Sequence, residues 1–302
     1  MPVRIEHNVQ TVASMDDVVA FMQDNKIDPS DPESLRAAFL PLAQLANDKV
    51  FLARRAIDDL EDMCTSQDAN NKYSAQAILL LPPGTDNVNY FIRANFWPAE
   101  SDAVYKSGHP SDFVYGFPHD HNFNFLTIGY YGSGYVSENY ECESESVQGY
   151  PGESVRLKFL EKSALGEGQV MLYRAFQDVH NQLPPEEMSI SLNICEYSGR
   201  SGLSNQYSYD LDAHKVSGIV NPNAAASLMS VAADLCGEEG RDILMRIASG
   251  QASDRLRFAA VKSMVNAVTD PAEGRAILDV ATHDRSSAIA EQAKVLLADW
   301  PR

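Results

Sequence analysis

Long apolar runs, clustered basic residues and paired cysteines are all missing from this 302-residue chain. No stretch approaches the ~18–20 consecutive apolar residues of a membrane-spanning helix, which excludes that class. Lys and Arg number 24 against 42 Asp and Glu, a formal charge of −18, and no Lys/Arg run interrupts that acidity. Nucleic-acid binding that depends on neutralising phosphates is therefore not expected. The four cysteines (Cys64, Cys142, Cys195 and Cys236) lie far apart with no CxxC pair. They make no disulfide framework and point to a reducing, cytoplasmic setting. The opening MPVRIEHNVQ has no apolar core or cleavage-like site, so no secretory signal is expected. GxSxG, P-loop and HExxH patterns are also absent, which argues against the hydrolases and nucleotide enzymes that use them. What remains is ordinary globular material, 44% hydrophobic and 22% charged.

Three regions differ in pattern. Up to about residue 70 the chain reads helical. Ser14 precedes Met15-Asp16-Asp17, a start signal with acids in the first turn, and Val18, Val19, Phe21 and Met22 follow as an apolar stripe. Leu35, Ala38, Phe39, Leu42 and Leu45 recur at helical spacing after Ser34, and a third segment runs from about Val50 to Met63. From about 74 to 210 short strands are expected at Ala75–Leu81, Tyr90–Trp97, Phe123–Tyr131, Tyr135–Cys142, Val155–Leu160, Gln169–Phe176 and Met188–Tyr197. Gly132-Ser133-Gly134 between two of them is a hairpin signal. Many short strands with few helices between them suggest a sandwich or barrel.

Beyond Asn221-Pro222 the chain is helical, alanine-rich and carries an internal echo. Glu239-Gly240-Arg241-Asp242-Ile243-Leu244 resembles Glu273-Gly274-Arg275-Ala276-Ile277-Leu278, and Asp254-Arg255 resembles Asp284-Arg285. Helix pairs repeating at these offsets, 34 and 30 residues, suggest a small HEAT-like solenoid, with an ordinary helical bundle as the alternative. The expected division is 1–218 for the strand-rich domain with its N-terminal helices and 219–302 for the helical one.

Among seven histidines one group has metal-ligand spacing. His119 and His121 in GFPHDHNFNF stand at i and i+2, which on a strand puts both imidazoles on one face. His180, in YRAFQDVHNQLPP, is the candidate third ligand from elsewhere in the fold. His109 is a possible contributor from a loop. Glu141, Glu143 and Glu145 share the histidine face if the 132–134 loop has three residues. A two-residue loop gives that face to Tyr140, Cys142 and Ser144 instead. Asp178 and Arg174 share parity with His180, and Asp178 has the chemistry to orient a ligand imidazole by accepting from its far N–H. Arg93, inside an aromatic strand, needs a partner if buried, and a substrate carboxylate is one.

GFPHDHNFNFLTIGYYGSGYVSENYE followed by GEGQVMLYRAFQDVHNQ resembles the two metal motifs of the cupin superfamily. Within it the arrangement is most similar to the three-histidine thiol dioxygenases, the cysteine dioxygenase group. The resemblance covers roughly residues 15–200 and not the C-terminal helices. It implies a mainly β jelly-roll barrel with N-terminal helices, to which the sequence adds a helical, repeat-like C-terminal domain. The usual cupin Glu four residues after the second His is replaced by Phe125, so the resemblance implies a three-His set of His119, His121 and His180. The Ser-His-Tyr relay of the thiol dioxygenases is matched by Ser191, Asn193 and Cys195. Ser191 is kept, and Tyr197, two residues past Cys195, is the nearest tyrosine to take the missing role.

The function this implies is a non-heme, Fe(2+)-dependent oxygenase, one iron per chain, using O2 on a small polar amino acid or thiol derivative. Imidazole alone does not select the metal; a closed tetrahedral zinc site would need a fourth protein ligand. In that reading Arg93 holds a carboxylate, and Tyr197 or Ser191 hydrogen-bonds bound oxygen. The other classes are a cupin with non-redox metal chemistry, an isomerase or lyase, and a ligand-sensing or interaction cupin. The C-terminal helices would then dock a partner protein or carry a homodimer contact.

Overall fold

The computed structural model describes all residues except 1, 66, 68–75, 86, 87, 109, 145, 146, 200–202, 222, 223 and 302. The chain divides into two compact units, 1–144 with 156–202, and 145–155 with 203–302.

The first unit is built on antiparallel strands. β1 (Val3–Ile5), β2 (Ala77–Leu81), β3 (Tyr90–Trp97), β4 (Phe125–Tyr131), β7 (Val170–Tyr173) and β9 (Ser189–Glu196) form one six-stranded sheet, ordered β1-β7-β4-β9-β3-β2. β5 (Val136–Cys142), β6 (Leu157–Ala164) and β8 (Asp178–Leu183) form a second sheet, ordered β6-β5-β8. Helices α1 (Met15–Asp24), α2 (Pro32–Arg36), α3 (Phe39–Ala46) and α4 (Phe51–Glu61) lie between β1 and β2. Ser14 caps α1 in the reciprocal arrangement with Asp17, where each side chain accepts from the other's backbone N–H.

Register sorts the large sheet's residues into two sets. Ile92, Leu126, Ile128, Leu172, Leu192 and Ile194 pack with Val18, Met22, Leu35, Leu42 and Leu45 of the helices into one apolar core. Each such side chain contributes about 1.5–3 kcal/mol by leaving water. The alternate residues face the small sheet. Phe91, Trp97, Phe125, Met171, Tyr173 and Cys195 form a second core with Tyr135. Trp97 and Tyr135 stack at 3.9 Å, and Tyr173 OH reaches Asn139 of β5 at 3.3 Å.

The expected hairpin across 132–134 does not form. β4 pairs with β7 and β9, while β5 pairs with β6 and β8, so these residues carry the chain from one sheet to the other. Gly134, at φ +82°, has Leu165 O only 2.1 Å from where a Cβ would stand, so the crossing is too close for any side chain. The expected strand Gln169–Phe176 also ends early, at Tyr173. Phe176 adopts φ +63°, the chain turns, and β8 begins in the other sheet.

In the second unit β10 (Tyr207–Asp210) pairs with β11 (Lys215–Ile219). Five helices follow: α5 (Ala224–Leu235), α6 (Gly237–Ser249), α7 (Asp254–Ala267), α8 (Pro271–Ala281) and α9 (Ser287–Asp299). The echoed arginines play parallel parts. Arg255 donates to Ser204 O and Asn221 O, and Arg285 to Gly250 O. Buried Arg257 joins Asp254 and Asp284, tying the start of α7 to the turn before α9.

Candidate metal centre

His119 stands in an isolated antiparallel bridge with His180. Its N–H donates to His180 O at 3.1 Å and its carbonyl accepts from His180 N at 3.0 Å. That pair of bonds, rather than a continuous strand, sets the first histidine against the third. His121 follows two residues later, and its carbonyl accepts from Phe176 N at 2.7 Å. The unusual φ of Phe176 is thus part of the turn that brings His180 round to the pair.

All three imidazoles are buried, and their ring nitrogens lie within 4.8 Å of one another. Nε2 of His180 is 3.2 Å from Nε2 of His121 and 3.3 Å from Nε2 of His119. Nitrogens bound at ~2.0–2.1 Å to one ion, at angles between octahedral and tetrahedral, are roughly 2.8–3.4 Å apart. Both distances from His180 therefore fit one shared cation. His119 Nδ1 lies 2.7 Å from Phe117 O; donating there fixes the tautomer that leaves Nε2 free to ligate. Burial pushes the His119 pKa down to about 4, opposed in part by the Phe117 carbonyl. Burial, then the neighbouring imidazoles and Arg93, hold His121 and His180 well below the ordinary value. Neutral imidazole is the form a metal needs.

An aromatic wall backs the cluster. Phe125 meets the His121 ring edge-on at 4.8 Å and stacks on Tyr173 at 4.7 Å. Behind it Asn124 is a buried junction. Its side chain donates to Glu196, Pro29 O and Ser30 O and accepts from Ala175 N. It thus locks the segment after His121 to the turn before His180.

The other expected residues are placed as follows. Arg93 pairs in register with Asn193, one same-face position from Phe91 and Cys195. It lies on the inner face, and its charge weighs on all three imidazoles. Asp178 has the expected parity but a different bond. It accepts from the Arg174 backbone and guanidinium at 2.7–3.1 Å, holding that arginine across the turn. Ser191 accepts from Trp97 Nε1 at 3.0 Å. It stands four residues from Cys195 on β9, roughly 13 Å along the strand. Tyr197 lies past the end of β9, 46% exposed. Glu141 does share the face of His180, because Asn139 pairs with His180 and Glu141 with Asp178. Its carboxylate bridges to Arg174 at 3.1 Å, and Glu143 pairs with Arg156. His109 and Glu145 lie outside the described residues.

Sequence reading missed Asn139 and Asn124. Asn139 has the parity of Glu141, so the argument that singled out the acid applied equally to the amide. Asn124 carries no local signal, since its partners come from three distant segments.

No family model matches this chain, and no curated protein matches it. Among solved structures it is similar to the DMSP lyases RdDddP and RnDddQII, at 12% identity and TM-score 0.25, over 42% of this chain and 48% of that one. It is similar to hydroquinone 1,2-dioxygenase PnpCD, in complex with Cd2+ and 4-hydroxybenzonitrile, at 13% identity and TM-score 0.26, over 44% and 71%. It is similar to the vicilin from Solanum melongena at 10% identity and TM-score 0.28, over 61% and 42%. This chain spans about half the length of the first of these. The likeness is partial in each case, and the account of the fold rests on the strand register described above.

Proposed function

We propose that this chain is a metal-dependent enzyme of the cupin type. In this reading His119, His121 and His180 hold one Fe(2+) per chain and the reaction uses O2 on a small polar substrate, an amino acid or thiol derivative. The observation that supports it is the convergence of three buried, neutral imidazoles with no carboxylate in the cluster among the described residues. Held by three neutral nitrogens, such an ion would keep its full charge, and binding substrate and O2 together is the chemistry it would supply.

The chain's own residues do the rest. Arg93 presents a positive charge on the inner face to receive a substrate carboxylate. Phe123, Phe125 and Tyr173 keep water from one side of the imidazoles. Ser191 is committed to Trp97 and Tyr197 stands at the exposed end of β9, so neither is given a role in the chemistry. The helical unit is proposed as the part that contacts a partner protein or a second copy.

One feature favours a second reading, a non-redox isomerase or lyase. Asn193 and Cys195 occupy the positions of the relay, and neither shuttles protons at neutral pH. Burial pushes the Cys195 thiol up to about 11, with Arg93 opposing the rise. The test is anaerobic purification with metal analysis, followed by O2-uptake screening against amino acids and thiols. His180→Ala should lose stoichiometric metal while the chain stays folded. Turnover without O2, or with Zn2+ in place of iron, would move the assignment to the second reading.

A further inference from the structure

Asn139 is fully buried on β5 and is the register partner of His180 on β8. Directly paired residues of antiparallel strands project to the same face with Cβ atoms about 4.5–5.5 Å apart. The amide therefore stands beside the third histidine, on the side facing the interior. Its two polar atoms are treated differently. Oδ1 accepts from Tyr173 OH at 3.3 Å, while Nδ2 is buried and has no hydrogen-bond partner. A buried N–H group without a partner is rare in a folded protein, and it is costly unless something else satisfies it. The Tyr173 bond anchors one end of the amide, so its other end is held in place.

The opposite sheet repeats the pattern. Asn193 is buried, and its Nδ2 also lacks a partner. Register places it between Arg93 of β3 and Thr127 of β4, on the face of Phe125, whose ring meets His121. Two open amide donors and one guanidinium thus face the interior from both sheets. A ligand that satisfies the two amides brings acceptor atoms, and the nearby guanidinium charge favours one that is negative.

We infer that Asn139 Nδ2 is a binding donor for a small anion seated at the three-histidine centre, with Asn193 and Arg93 receiving the anion's far side. The ligand class is a small carboxylate or comparable oxyanion. This inference rests on the metal-site reading above and deepens it by naming the group that grips the ligand beside His180.

The test uses the full chain loaded with Co2+ and titrated with azide, followed through the visible Co2+ bands. Wild type should take up one Co2+ per chain and bind azide. Asn139→Leu removes the donor without adding charge; it should keep the Co2+ stoichiometry and raise the azide Kd about tenfold or more. An unchanged Kd at full Co2+ occupancy would overturn the inference while leaving the metal-site reading intact. Failure of wild type to hold Co2+ would defeat that reading and the inference with it. A second measurement needs no variant. In Zn2+-loaded, 15N-labelled wild type, the Asn139 side-chain amide resonances should shift as azide or acetate is added. Resonances that stay put while other site residues respond would count against Asn139.

Discussion

The two faces of the six-stranded sheet are made by the same strands and do opposite jobs. On β9, Leu192 and Ile194 point to the helices, while Ser191, Asn193 and Cys195 point to the small sheet. On β3, Ile92 and Ala94 face the helices and Arg93 and Asn95 face inward. The outer face is apolar and closed by α1–α3. The inner face mixes aromatic rings with polar groups; Asn193 Nδ2 on it has no partner in the protein, and neither do Asn139 Nδ2 and His180 Nδ1 of the small sheet opposite. A period of two residues thus separates stability from chemistry within a single strand. Outer-face residues should govern folding, and inner-face residues should govern what is bound.

The largest expected contrast is in acid. Histidines in the unfolded chain titrate near 6.5. In the folded chain His119 titrates at about 4, and burial holds His121 and His180 well below the ordinary value. Above pH 6.5 both states carry neutral imidazoles and stability is flat. As pH falls below that, the unfolded chain binds protons that the folded chain refuses, so stability is lost, levelling off for each histidine at its folded pKa. Three such groups give a slope of up to about 4 kcal/mol per pH unit. Urea unfolding of the metal-free chain at pH 7, 6 and 5 measures it. A flat profile over that range would mean that the imidazoles are not buried neutral. The apolar outer face contributes nothing to this slope.

Next in size is the outer face itself. Leu192 is fully buried against the helices. Leu192→Ala should cost about 2–5 kcal/mol, the range for emptying a packed leucine site. Metal bound per folded molecule should not change. Chemical denaturation and metal analysis on the same preparation check both halves. Loss of metal at full folding would show that the two faces are coupled rather than separate.

The division was partly legible beforehand. The aromatic strand Tyr90–Trp97 and the HxH spacing are local patterns, and local patterns survive reading. The mainly β character with flanking helices followed from the same signals. What could not be read was partnership. Gly132-Ser133-Gly134 reads as a hairpin turn, but close approach to Leu165 sends the chain into another sheet. The strand of His180 was hidden because the break at Phe176 depends on a backbone bond to His121. Each miss is a case where a distant segment decided among locally equivalent options.

The smallest expected effect on stability, and the sharpest test of the contrast, is Asn193→Leu, one residue along from Leu192. Its Nδ2 is buried without a partner, so replacing the amide with an apolar side chain of similar volume removes an unsatisfied donor. The stability change should stay within about 1 kcal/mol in either direction, far less than for Leu192→Ala. Binding should respond in the opposite order. Removing a donor that faces the histidines should weaken a small anion at the centre, while Leu192→Ala leaves anion binding per folded molecule unchanged. Denaturation curves and anion titrations on both variants give a crossed pattern if the two faces are separate. Loss of about 2 kcal/mol or more with Asn193→Leu, and no change in anion affinity, would mean that the amide is a structural element of the core.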